Sequence, residues 1–276
     1  MFKLLSKPTT NYKANKNITI GYNTYFLSLA HSDISGYNVC AYAKKYSLNN
    51  LENKSNLIKD QKEKEKYINN FNRIKKQQGK LSSCSAVCVG YNGFAQIYKN
   101  VMIARVKKTK LFFEDQNLFM EYLIKDIQKA ITQSIKKGLI PTFRLNAYSD
   151  IKWENIKIIH NDKEYLNIFE IFKDVKFYDY TKIPNRTTPK NYELTYSFWG
   201  NKKHLNKEIN TNKNVAIVFD KLPTKYKNKI VVNGDKTDLR LKDNDGSNVV
   251  VGLKFKGSKQ ALKDGINEGF VIDTNK

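Results

Sequence analysis

From residue 141 onward the chain is a series of short apolar runs: PTFRLNAYSD (141–150), DVKFYDYTK (174–182), YELTYSF (192–198), NVAIVFD (214–220), NKIVVNGD (228–235) and NVVVGLKFKG (248–257). Runs of this length, rich in β-branched and aromatic residues and bounded by Asn, Asp, Gly or Pro, make strands. Helix-compatible stretches separate several of them, including YLNIFEIFK (165–173) and KHLNKEIN (203–210). Strand and crossover repeated in this way require a mostly parallel sheet, and ITIGYNTYFLSLA (18–30) supplies one or two strands ahead of the series. The fold expected is therefore α/β, either a (β/α) barrel or a partial TIM-like barrel. No Gly/Ser-rich linker breaks the series, which predicts a single domain over residues 1–276 with a charged helical insertion at 41–80.

Before the strand series, Phe119, Leu123, Ile127, Ala130, Ile131 and Ile135 recur at helical spacing. Asp115 stands where an N-cap belongs, and Gly138 and Pro141 end the run. The preceding GYNGFAQIYKNVMIARVKKTKLFF (90–113) also reads as helix. Residues 41–80 carry only sparse apolar positions among many charges, the pattern of an exposed helix with a basic face.

The net charge of +23 and pI of about 9.7 suit a polyanionic partner such as nucleic acid. Abundant Lys, Asn and Ile are equally the mark of AT-rich coding sequence on a solvated surface. No apolar run reaches the roughly 18 to 20 residues of a membrane span, and the N-terminus has no apolar signal core. The expectation is a cytoplasmic protein with no membrane association.

All three cysteines fall in one part of the chain, Cys40 in SGYNVC and Cys84 and Cys88 in SSCSAVC. In a reducing compartment such grouping favours metal ligands over disulfides, while ordinary burial of small apolar thiols is the alternative. Three thiolates can hold a [4Fe–4S] cluster and leave one iron open for S-adenosylmethionine, or they can hold zinc, with His31 as a fourth ligand. The nucleophile elbow, P-loop, H-E-x-x-H and dinucleotide glycine patterns are all missing.

The apolar runs end in polar residues. The first gives Arg144, Asn146, Ser149 and Asp150; later ones give Asp179, Thr181, Lys182, Ser197, Asp220, Asp235 and Lys256. In a (β/α) barrel these positions converge at the C-terminal mouth, where active sites lie. Asp150, Asp179 and Asp235 are accordingly candidate catalytic residues, and Arg144, Asn146, Ser149 and Lys182 candidate cofactor-binding residues. Each has a plainer role open to it. Asp150 can cap a helix starting near Trp153, Asp179 can pair with Lys182, and Asp235 with Asp238 can shape a turn at Gly234.

Taken in order, SGYNVC, C-x3-C, AR-x3-T, RLN-x2-SDI-x-WE, FYDYTK, VAIVFD, GD-x2-DLR and VVGLKFKG resemble a phage-borne family, the gene product 88 group, over roughly residues 25–273. The resemblance implies no particular activity. It implies a first cysteine close to the C-x3-C pair, whereas here residues 41–83 stand between Cys40 and Cys84.

Three functions fit these observations. One is an iron–sulfur enzyme similar in architecture to the radical S-adenosylmethionine class, modifying nucleic acid, although the spacing is not the C-x3-C-x2-C of that class. Another is a zinc-containing barrel enzyme that exchanges or modifies nucleic-acid bases through aspartate catalysis. The third is a non-catalytic nucleic-acid-binding phage protein.

Overall fold

The computed structural model describes residues 2–10, 12–31, 35–42, 60–62, 65 and 99–275. Cys84, Cys88 and nearly all of the expected 41–80 insertion lie outside the described residues.

The chain opens with β1 (Leu5–Ser6), α1 (Tyr12–Ile18) and β2 (Tyr22–Leu27). Two helices, α2 (Lys99–Glu114) and α3 (Gln116–Ile135), lead to β3 (Ile140–Arg144). A small hairpin of β4 (Ile158–His160) and β5 (Lys163–Tyr165) precedes α4 (Ile168–Ile171), β6 (Lys176–Thr181) and β7 (Tyr192–Ser197). The C-terminal third adds α5 (Lys202–Ile209), β8 (Val215–Phe219), β9 (Lys225–Tyr226), β10 (Lys229–Asn233), α6 (Lys242–Asp245), β11 (Val250–Lys254), α7 (Lys259–Asn267) and β12 (Val271–Ile272).

These elements build a ten-stranded sheet in the order β1-β2-β3-β6-β7-β8-β11-β10-β9, with β12 beside β8. The stretch from β2 to β10 is parallel throughout, and from β2 to β11 each strand lies next to the one before it in that series. Pairing between β7 and β8 is brief, Tyr196 with Val215 and Ser197 with Ala216. Beyond it β12 takes the same edge, pairing Val271 with Val218 and Ile272 with Phe219. The α/β class and the mostly parallel sheet match the expectation from the apolar runs. The ring of strands does not close: β1 lies antiparallel to β2 at one edge and β9 antiparallel to β10 at the other. β1 and β9 are not paired with each other, so the sheet stays open.

Strand alternation sorts the side chains into two faces. On one, Tyr25, Phe143, Phe177 and Tyr192 bury against Leu123 and Ile127 of α3 and Phe169 of α4. Farther along, Val215, Ile217 and Phe219 bury against Leu205 and Ile209 of α5. Side chains of this size stabilise by about 1.5–3 kcal/mol each on burial, so this face is the core. The helix α3 forms as its spacing predicts: Leu118 N donates to the Asp115 carboxylate at 3.0 Å, capping the first turn.

The opposite face is polar. Asn17 donates to Thr24 and Tyr178, and Thr24 bonds Thr142 at 2.8 Å. The connection after β10 crosses this face and lays Leu239 and Leu241 against Tyr178. That strap closes the half of the face nearest the amino ends of the strands. The half nearest the carboxyl ends stays open as a cavity.

Candidate functional site

At the carboxyl end of β3 the chain turns sharply through residues 145–153, and the Asn146 side chain organises the turn. Its Oδ1 accepts from Ser149 Oγ, Ile151 N and Trp153 Nε1 at 2.8, 3.0 and 3.1 Å. Its Nδ2 donates to Ile151 O at 2.9 Å and Tyr192 OH at 3.3 Å. Asp179, from β6, secures the same turn from behind by accepting Leu145 N, Asn146 N and Tyr192 OH at 3.0, 3.0 and 3.2 Å. Burial pushes the Asp179 carboxyl up to about 7, against these donors and the Arg144 guanidinium 3.7 Å away.

Asp150 ends the turn. It accepts from Thr181 Oγ1, Lys182 N and Arg186 Nη1 at 2.8, 2.8 and 2.9 Å. Arg186 also pairs with Glu154 at 2.6 Å, so one buried guanidinium bridges two carboxylates. Burial raises the Asp150 pKa, while Lys182, Arg186 and Thr181 oppose the rise. From the other side Asp150 N donates to Val39 O at 2.8 Å, and Cys40 Sγ lies 3.9 Å from Tyr148 O as a weak donor. The segment carrying Cys40 is thus fastened to the turn after β3.

These turns border a cavity of about 920 Å³, near the upper end of the size usual for small-molecule sites. Among the described residues six cationic side chains line it, Lys3, Lys7, Arg105, Lys108, Arg144 and Lys182, against two carboxylates, Asp150 and Asp238. Both carboxylates are already paired, Asp150 with Arg186 and Asp238 with Arg144 Nη1 at 2.6 Å. Aromatic rings supply much of the wall: Phe26, Tyr42, Tyr148, Tyr180, Phe198 and Phe270. The Arg144 guanidinium sits over Tyr180 at 5.3 Å and over Phe26 and Tyr178 at 5.8 Å, inside a box of rings. An uncompensated positive field in a partly dry cleft attracts anions and strengthens their binding.

The structure brings Cys40, Arg144, Asn146, Ser149, Asp150 and Lys182 together along this cavity. Asp179 is fully buried behind the wall. Asp235 is not among the lining residues: it accepts Lys254 N at 3.0 Å and pairs with Lys256 at 2.8 Å on an exposed turn. Among the described residues no group of three or more His, Cys, Asp or Glu side chains is placed to hold a metal ion, and Cys84 and Cys88 are not among those residues. No helix among the described residues is long and apolar enough to cross a membrane.

Sequence reasoning missed Arg105, Lys108, Asp238 and Arg186. The first two share one face of α2 at i, i+3 spacing, a signal present in ARVKK. Asp238 was legible as a turn residue, but its pairing with Arg144 depends on the strap crossing the sheet, which no local pattern announces.

A family model described as Gene product 88 matches residues 3–274. Comparison with curated proteins and with solved structures yields no match. The matched span takes in every strand of the sheet and every described residue of the cavity wall, and the chain belongs to the Gene product 88 family.

Proposed function

We propose that this phage-family protein binds a nucleotide or a nucleotide unit of nucleic acid in the cavity at the carboxyl ends of its parallel strands. In this reading β2, β3, β6, β7, β8 and β11 act as a partial barrel, and the cavity is its mouth. The observation that carries it is the lining: among the described residues, six cations set among six aromatic rings, with the two carboxylates of the wall, Asp150 and Asp238, already engaged. Phosphate matches the cations and a base matches the rings, since every base presents a π face for stacking. Calorimetric titration at low salt should give saturable binding of nucleoside monophosphates at micromolar to sub-millimolar concentration. Absence of heat for all four bases up to several millimolar would remove the reading.

A second reading is favoured by one observation: Cys40 lines the same mouth, on the segment that follows the first strand of the parallel series. A half-buried thiol at the border of a cationic cleft has the donor chemistry that iron and zinc require. Cys40, Cys84 and Cys88 would hold a [4Fe–4S] cluster, which supplies one-electron chemistry with S-adenosylmethionine; the same thiols would hold structural zinc in a base-modifying enzyme with Asp150, the one of the three candidate aspartates on the described wall, as its acid–base group. Arg144, Asn146, Ser149 and Lys182 would then shape the cofactor pocket. Protein purified without oxygen and reconstituted with iron should turn brown, and Cys40→Ala should lose the colour. Stoichiometric zinc without iron selects the other enzyme, and a metal-free, colourless protein leaves nucleotide binding alone.

A further inference from the structure

Within the cavity the cations are unevenly equipped. Arg144 is matched by Asp238, but Arg105, on α2, has no carboxylate partner among the described residues. The residue is only 9% exposed, its guanidinium carbon lies over the Tyr148 ring 4.2 Å from the centroid, and its Nε is buried without a hydrogen-bond acceptor among the described residues. One turn farther along the helix, Lys108 is also buried, donating to Leu4 O at 2.6 Å. Lys3 lines the same end of the cavity, and its charge adds to that of Arg105 in lowering the Lys108 pKa. The carboxylate closest in influence, Asp126, already accepts Leu4 N and Leu5 N at 2.7 and 3.0 Å.

Desolvating positive charges beside one another is unfavourable unless an anion joins them. The cation–π contact with Tyr148 holds the Arg105 guanidinium in place, which is the preorganisation that two-pronged recognition of phosphate needs. An internal phosphodiester carries one negative charge and continues into chain on both sides. A monoester carries close to two charges near pH 7 and ends there.

From this placement we infer that Arg105, Lys108 and Lys3 form a subsite for a phosphate monoester, so that the ligand is a mononucleotide or a phosphorylated strand end rather than an internal unit of a polymer. The inference rests on the reading of the cavity as a nucleotide site, and inorganic phosphate as a probe separates the two.

The test compares wild type, Arg105→Gln, Arg105→Lys and Lys108→Met by calorimetry and phosphorus NMR. The ligands are a nucleoside 5′-monophosphate, the nucleoside, a dinucleoside with a single internal diester, and inorganic phosphate. Wild type should prefer the monoester to the internal diester by tenfold or more. Arg105→Gln should weaken monoester binding about 30-fold, the order expected for losing charge-assisted hydrogen bonds, and leave the nucleoside unchanged. Arg105→Lys, which keeps the charge and loses the fork, should fall between, and it stands in if the Gln variant fails to fold by circular dichroism. Equal binding of diester and monoester, or folded Arg105 variants that bind the monoester within twofold of wild type, overturns the subsite. If the monophosphate does not bind wild type but inorganic phosphate binds and is lost in Arg105→Gln, the subsite stands and the nucleotide reading fails. If neither binds, both fail.

Discussion

Asn146 is buried and uses both atoms of its amide, three acceptances and two donations, to hold a turn whose own backbone makes few bonds. Alanine there would strand Trp153 Nε1 and Ile151 N without their acceptor and leave Ile151 O with Arg186 Nη2 alone. Asn146→Ala should therefore lower unfolding stability by about 3 kcal/mol, read as a shift in urea midpoint at unchanged slope; a loss below about 1 kcal/mol would mean the turn does not depend on it. Its role could be placed at the mouth from strand alternation, but not as a hub, because four of its five bonds reach residues whose positions the turn itself creates. Lys108 gives a second prediction. Burial, with Arg105 and Lys3 nearby, lowers its pKa to about 8, Asp126 opposing. Since the folded state releases this proton near 8 and the unfolded chain only near 10.4, stability from this group rises with pH across that window. A bound anion reverses the preference and holds the proton. A phosphate monoester is already dianionic above its second pKa of about 6. Its affinity should thus fall with pH above 8, by up to about tenfold per unit, and Lys108→Met should flatten the profile; an unchanged slope in that variant would detach Lys108 from the ligand.

At the scale of elements, the strands were the most legible part, since each apolar run from 141 to 257 contains one observed strand. The helix α3 was equally plain from its stripe and its cap. The hairpin of β4 and β5 was not, because Ile158 to Tyr165 alternates weakly and its signal is the Asn161–Asp162 pair, both in the left-handed region at φ 51° and 59°. The strap from Gly234 to Leu241 was hidden for a different reason. It has neither strand nor helix periodicity, and it buries Leu239, Leu241, Asp238 and Arg240 only because the polar face of the sheet lies beneath it. Gly234 is required at its start, since a Cβ there would sit 2.5 Å from Val251 Cγ1. The strap is fixed by Asp238, whose amide donates to Asn17 Oδ1 of α1 and whose carboxylate holds Arg144 of the sheet. Asp238→Ala leaves a buried guanidinium with only the more distant Asp179, which should cost about 3–5 kcal/mol. Limited proteolysis should then cut within residues 234–241 in the variant and not in wild type. Cleavage at equal rates would show that the strap is held by its leucines alone.

The whole molecule carries a formal charge of +23, far more than one cavity can use. Composition could indicate a polyanion but could not divide that charge between a site and a surface, because lysine codons and phosphate binding leave the same count. Salt separates them. A ligand held by Arg105, Lys108 and Lys3 engages few charges in a partly buried place, where screening is weak. A single-stranded oligonucleotide lying on the surface releases counterions in proportion to the phosphates it neutralises, with a logarithmic slope of about −0.7 for each. The expected outcome is two classes of binding in one protein. Oligonucleotide affinity, measured by anisotropy, should fall at least tenfold between 50 and 200 mM salt and be insensitive to Arg105→Gln when the strand lacks a terminal phosphate. Monophosphate affinity should fall only a few-fold over the same range and be sensitive to that substitution. A common salt slope, with Arg105→Gln weakening both ligands alike, would place the polymer inside the cavity and make surface and site one continuous path for nucleic acid.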